Sequence, residues 1–301
     1  MSNAVVMTGF GGPEVLRWSP VATPEPGPGQ IRIKVAAAGI SPTDLPLRSG
    51  LLKAFALPAV PVLGFEVAGT VDALGPGTTG VAVGDEVAAF LLELGGYAEH
   101  VVASIWTPKP ASVSWADAAA LPSSAEAAVR TLNELAVPAG GTLLVFGGGG
   151  AVGVVATQLA VARGIKVLSV VGAHDEALVL ELGATPVRYG PGVTARVREL
   201  GDVDAVLDAA GKGVLADAVE LTGDPGRVVT LSDPAAGDFG VRLSGPDAAK
   251  APAALGEVMT LLAKGKLRLR AHRELPMADA AEAHRLLEAG GVRERLVLMA
   301  G

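Results

Sequence analysis

The chain of 301 residues contains no cysteine. That absence excludes disulfides, a thiolate nucleophile and any cysteine-ligated zinc. Aromatic residues are scarce at 4%, and only 18% of residues are charged, with a net charge of −7. An acidic balance offers no basic surface for nucleic acid. No long uninterrupted hydrophobic span is present either. Residues 135–162 carry no charge, which is long enough for a membrane helix. Pro138, the Gly140-Gly141 pair and a later glycine run would break it repeatedly, and basic flanks are missing. No signal-peptide pattern precedes the first strand-like run, Ala4–Thr8, so a cytoplasmic location is expected by default. What abounds is small: 40 glycines, 21 prolines and a half share of hydrophobic residues. This is the composition of an Ala/Val/Gly-rich α/β protein, long enough for two domains.

The stretch from Thr142 to Arg163 carries the strongest signal. A short apolar run, Leu143 to Phe146, reads as a buried strand, and a segment of helical period ends at Arg163. Between them Gly148, Gly150 and Gly153 stand in the order G-x-G-x-x-G, the context in which that motif signifies a dinucleotide site. The first glycine serves the tight turn, the second the close approach of a pyrophosphate, and the third helix packing. Free N–H groups at the helix start then face the phosphates. Gly150 is the expected point of closest approach, with strain added to any substitution if its φ is positive.

Before residue 115, short β-like runs (Ala4–Thr8, 30–37, 65–74, 86–92 and 97–103) alternate with Gly/Pro turns, indicating a compact β unit. Glu66 reads as a buried acid in a polar network. From Ala116 the texture becomes helical. After the glycine turn, strand runs at 166–171, 205–207, 227–231 and 241–243 alternate with helical runs, the pattern of an open parallel sheet. An extended run at 267–275, a helix over 277–288 and a strand at 296–299 close the chain.

This order resembles the medium-chain dehydrogenase/reductase superfamily, in its zinc-independent quinone oxidoreductase branch. The resemblance rests on the opening 5–16 (VVMTGFGGPEVL), Gly64-x-Glu66-x-x-Gly69-x-Val71, 95–99 (GGYAE), 118–122 (AAALP), 206–208 (VLD) and 280–288 (AAEAHRLLE). It implies an α/β fold: a GroES-like β-rich catalytic domain at 1–115 and 266–301, and a Rossmann doubly wound parallel-sheet cofactor domain at 116–265. Zinc-dependent relatives place Cys and His where this chain has Ser41 and Phe65, so no metal is expected. The implied activity is hydride transfer from a nicotinamide cofactor to a quinone or other α,β-unsaturated carbonyl, with a small-molecule substrate and neither nucleic acid nor membrane as partner.

The same resemblance implies a substrate and nicotinamide pocket with Ser41 and Asp44, together with Leu52, Phe65 and Ala127. Family members usually carry Asn, Tyr and Thr where Ser41, Leu52 and Ala127 stand, which leaves this pocket less polar. The cofactor is expected on Gly148, Gly149, Gly150, Ala151, Val152 and Gly153, then Gly172 and His174, Arg188 and Tyr189, Ala210, Leu231 and Ser232. An NAD site would usually end its second strand with an acid; here the strand ends Val170-Val171-Gly172, which favours NADPH with NADH left open. Asp175 would oppose a 2′-phosphate if it pointed inward. The less polar pocket also admits a different class, a cofactor-binding protein with little catalysis, and the chemistry would equally suit a dedicated biosynthetic enoyl intermediate. A homodimer joined through the edge strand 241–243 is expected, since exposed edges are normally paired or blocked.

Overall fold

The computed structural model describes residues 1–52, 57 and 59–301. Packing divides the chain into two units: Met1–Ser123 with Ala251–Lys266 and Arg270–Gly301, and Ser124–Lys250 with Leu267–Leu269. Among the described residues no helix is long and apolar enough to cross a membrane.

The second unit is built on one six-stranded sheet. Its strands, numbered in chain order, are β1 Thr142–Phe146, β2 Lys166–Val171, β3 Thr185–Arg188, β4 Ala205–Asp208, β5 Val228–Thr230 and β6 Arg242–Leu243. They lie in the order β3-β2-β1-β4-β5-β6, every pair parallel. That is the strand order of paired mononucleotide-binding halves, with the reversal between β1 and β4. Leu143, Leu144 and Val145 are wholly buried, as are Val206 and Leu207. Continuous apolar runs of this kind suit strands covered on both faces. β3 breaks the pattern by containing Pro186, which the sheet tolerates because β3 is an edge strand with no ladder to donate to on its outer side.

The first unit carries a seven-stranded, largely antiparallel sheet. Ile31–Gly39 alternates buried and less buried residues at first, as a strand with one face in the core should. It pairs with Glu66–Leu74 through two register shifts, and Gly69 in that strand has no room for a β-carbon against the Lys34 carbonyl. A separate hairpin joins Ser2–Met7 to Leu16–Val21.

The observed division differs from boundaries at 116 and 265. Helix Ala251–Ala263, expected with the parallel sheet, buries Ala251 and Leu255 in a cluster with Phe90 and Ile105 of the β-rich unit. Helix Trp115–Ala119 likewise belongs to that unit. Helical period shows that a segment has an apolar face, but not which sheet will cover it.

Candidate functional site

The glycine turn joins β1 to helix Ala151–Ala162. Its left-handed residue is Gly147 at φ +79°, while Gly150 sits at φ −75° and ψ 173°. The left-handed residue thus stands three positions before Gly150, just ahead of the motif, and a substitution at Gly150 meets no backbone strain. Space, not backbone strain, explains the motif glycines. A β-carbon on Gly148 would strike the Ser169 hydroxyl, and one on Gly153 would lie 2.6 Å from the Gly148 α-carbon. At Gly150 the nearest atom to such a carbon is the Gly147 carbonyl oxygen, at 3.2 Å, and nothing else stands within 4 Å. The first helical bond is Val154 N–H to Gly150 oxygen, 2.9 Å. The amides of Ala151, Val152 and Gly153 thus precede the helical ladder and have no intrahelical acceptor. Such a terminus carries partial positive charge and favours an anion.

A cavity of about 620 Å³ opens beside this turn, walled by Gly149, Gly150, Gly172, Asp175, Tyr189 and Ala210 among others. It lies beyond the carboxyl ends of β1, β2 and β4, where ligands of open parallel sheets bind. Its volume and glycine-lined floor fit a dinucleotide. Asp175 follows β2 in the short turn Ala173–Asp175, and its carboxylate sits 2.5 Å from where a Gly149 β-carbon would stand. It does face the cavity. Tyr189 is 71% exposed and brings its ring to 3.4 Å from the β-carbon position of Gly172.

Not every expected cofactor residue reaches this space. Gly148, Ala151, Val152 and Gly153 of the turn and helix start, and His174, Arg188, Leu231 and Ser232, are not among the cavity walls. Arg188 is turned to an ion pair with Glu176 at 2.5 Å. Ser232 has its hydroxyl against Gly211. Conversely, the Gly190–Gly192 loop, Lys212 and Asp217 line the cavity without having been expected. The loop follows β3, the strand concealed by its proline; recognising β3 would have placed the next loop at the sheet's carboxyl edge.

In the β-rich unit the expected pocket residues separate by exposure. Ser41 is half-buried and Leu52 is 44% exposed, whereas Phe65 packs against the core. Asp44 is wholly buried. Its carboxylate accepts from Ser41 N–H at 2.8 Å, Gly64 N–H at 3.2 Å and the Tyr97 hydroxyl at 2.7 Å. An acid so enclosed, accepting from three donors, holds two loop backbones together. Behind Tyr97, His284 Nε2 lies 3.4 Å from the hydroxyl, and Arg48 meets His284 Nδ1 at 3.1 Å. A guanidinium only donates, so Nδ1 accepts, Nε2 carries the proton and the chain of donors runs from Arg48 to Asp44. Burial, aided by Arg48, pushes the His284 pKa down to about 3. Burial raises Asp44 to about 6 against the pull of its three donors. Tyr97 is raised well above its usual range by burial and the nearby carboxylate.

Glu66, also wholly buried, accepts from Ser123 N–H at 2.9 Å and Ser123 Oγ at 2.6 Å, and pairs with Arg295. The donor set around Ser41, Phe65 and Glu66 does not fit zinc, since thiolate and imidazole ligands are replaced by a hydroxyl and a phenyl ring. In the other unit Ala127 is nearly buried within helix Pro122–Leu135, its carbonyl accepting from Thr131 Oγ1 at 2.7 Å.

The sequence matches two family models, the alcohol dehydrogenase GroES-like domain over residues 27–109 and the zinc-binding dehydrogenase over residues 182–298. Quinone oxidoreductase of Mus musculus is 30% identical over 99% of this chain and 98% of its own length. A 2-methylene-furan-3-one reductase of Solanum lycopersicum is 34% identical over 75% of this chain and 61% of its own. The solved structure of the quinone oxidoreductase from Coxiella burnetii superposes with a TM-score of 0.87 at 29% identity, covering 99% of both chains. Likeness that runs along nearly the whole chain, on a fold with a dinucleotide cavity at its switch point, makes this protein a member of the medium-chain dehydrogenase/reductase superfamily, in its quinone oxidoreductase-like branch, and an NAD(P)H-dependent oxidoreductase.

Proposed function

We propose that the chain is a zinc-independent, NADPH-dependent reductase of quinones or other α,β-unsaturated carbonyls. The observation that carries this reading is the cavity beside the glycine turn, with amides ahead of the first helical bond. When bound, the nicotinamide supplies the hydride. The chain's own part is to hold the pyrophosphate on the glycine turn and helix start, and the adenosine half between the loops after β2 and β4. The acceptor takes a hydride and then a proton from solvent, so no dedicated acid is required. That agrees with the sealing of Asp44 and His284 inside the β-rich unit. Names of the relatives support both acceptor types, a quinone and an exocyclic enone.

The same enclosure of Asp44, with Ser41, Leu52 and Ala127 in place of more polar groups, supports a second reading in which the protein binds cofactor with little turnover. A panel of quinones, enals and enoyl thioesters assayed with NADPH separates the two. Oxidation of NADPH with any member of the panel is the expected result and eliminates the binding-only reading. Tight NADPH binding without turnover across the panel would reverse that choice.

A further inference from the structure

We infer that Lys212 is the cation that meets the 2′-phosphate of the cofactor, an assignment resting on the NADPH reading above. Three basic side chains cluster around the carboxyl ends of β3 and β4, and two are already engaged. Arg188 pairs with Glu176 and is not a cavity wall. Arg196 donates to the carbonyls of Arg188, Gly190 and Pro191, bracing the loop that forms one wall. Lys212 lines the cavity, and among the described residues its side chain has no hydrogen bond or ion pair.

The backbone that presents Lys212 is held on both sides. Asp208 Oδ1 accepts from Ala210 N–H at 3.0 Å and Gly211 N–H at 2.9 Å. Its other oxygen accepts from Thr230 Oγ1 at 2.8 Å. Beyond the lysine, Gly213 N–H donates to Asp233 Oδ2 at 3.1 Å. Asp208 and Asp233 are both buried. The loop therefore fixes where Lys212 starts while leaving its ammonium available. The charged walls are otherwise Asp175 and Asp217, so a phosphate dianion entering this space needs a counter-charge, and Lys212 is the basic wall residue. An ammonium–phosphate contact is a charge-assisted bond, stronger than a neutral one. Its loss in a partly open site should weaken binding about tenfold or more.

The test is titration of NADPH and NADH into the parent protein, Lys212→Met and Arg188→Met. Lys212 is exposed and unpaired, so the fold should survive, which circular dichroism verifies. Expected for Lys212→Met is an NADPH Kd raised about tenfold or more with the NADH Kd within about twofold, and for Arg188→Met no change in either. Equal weakening of both cofactors would place Lys212 on the shared pyrophosphate and overturn the assignment. No change in either cofactor for Lys212→Met, or selective loss of NADPH in Arg188→Met, would overturn it as well. A parent protein that binds NADH but not NADPH defeats the NADPH reading itself, a failure visible before any variant is compared.

Discussion

The carboxylate of Asp175 stands over Gly149, in the space that a β-carbon on that glycine would need. The acid thus shares the cavity with the end of β2, where the ribose of a dinucleotide is bound in this fold. A 2′-phosphate there would meet like charge, whereas the two hydroxyls of NADH would meet an acceptor. Asp175→Ser should therefore tighten NADPH relative to NADH, by about fivefold if the repulsion is near 1 kcal/mol in a partly solvated site. Fluorescence titration of both cofactors reads the ratio. An unchanged ratio would mean that the 2′ position lies elsewhere in the cavity.

The buried run Arg48–His284–Tyr97–Asp44 gives stability an unusual pH dependence. His284 has a folded pKa of about 3 against 6.5 unfolded, so its contribution is lost as pH falls from 6.5 toward 3. Asp44 runs the other way: with a folded pKa of about 6 against 3.8, it favours the folded state at low pH and loses that advantage as pH rises from 3.8 to 6. Between pH 4 and 6 the two slopes oppose one another. Asp44→Asn removes one of them and should leave stability rising with pH across that window by about 1.4 kcal/mol per unit more than in the parent. Urea unfolding at pH 4, 5 and 6 measures this. Parallel profiles for parent and variant would contradict the opposed titrations.

Much of the cofactor half was legible because its signals are local. A strand of continuous apolar residues, a glycine turn and a helical period follow one another within 142–163, and β2 falls on Lys166–Val171 as its composition indicates. β3 was hidden by Pro186, and the helix Asp44–Ser49 by Pro46; both are short and stand where a proline does little harm. The Asp44 network was illegible for another reason. Tyr97 lies 53 residues from Asp44 and 187 from His284, and no periodicity links side chains at such separations. Likewise, that Arg188 turns to Glu176 and Lys212 to the cavity depends on loop paths that composition does not encode.

β6 pairs with β5 on one side only, and Leu243 at that edge is 55% exposed. β6 is only Arg242–Leu243, so the edge is not the apolar one expected, yet its outer backbone groups are open to a second strand. We predict a two-fold homodimer joined there, with Leu243→Lys shifting it toward monomer because charged residues block edge pairing. Light scattering at micromolar concentration should give twice the chain mass for the parent. A monomer mass would rule the joined sheet out.

The glycine turn as a pyrophosphate site is tested most directly at Gly150, whose missing β-carbon faces open space apart from the Gly147 carbonyl. Valine there would fill the path of the phosphates without forcing an unfavourable φ. NADPH titrated into Gly150→Val should bind about 2 kcal/mol more weakly than to the parent, roughly thirtyfold, with a cooperative thermal transition retained. A folded Gly150→Val protein that binds NADPH as tightly as the parent would contradict the account.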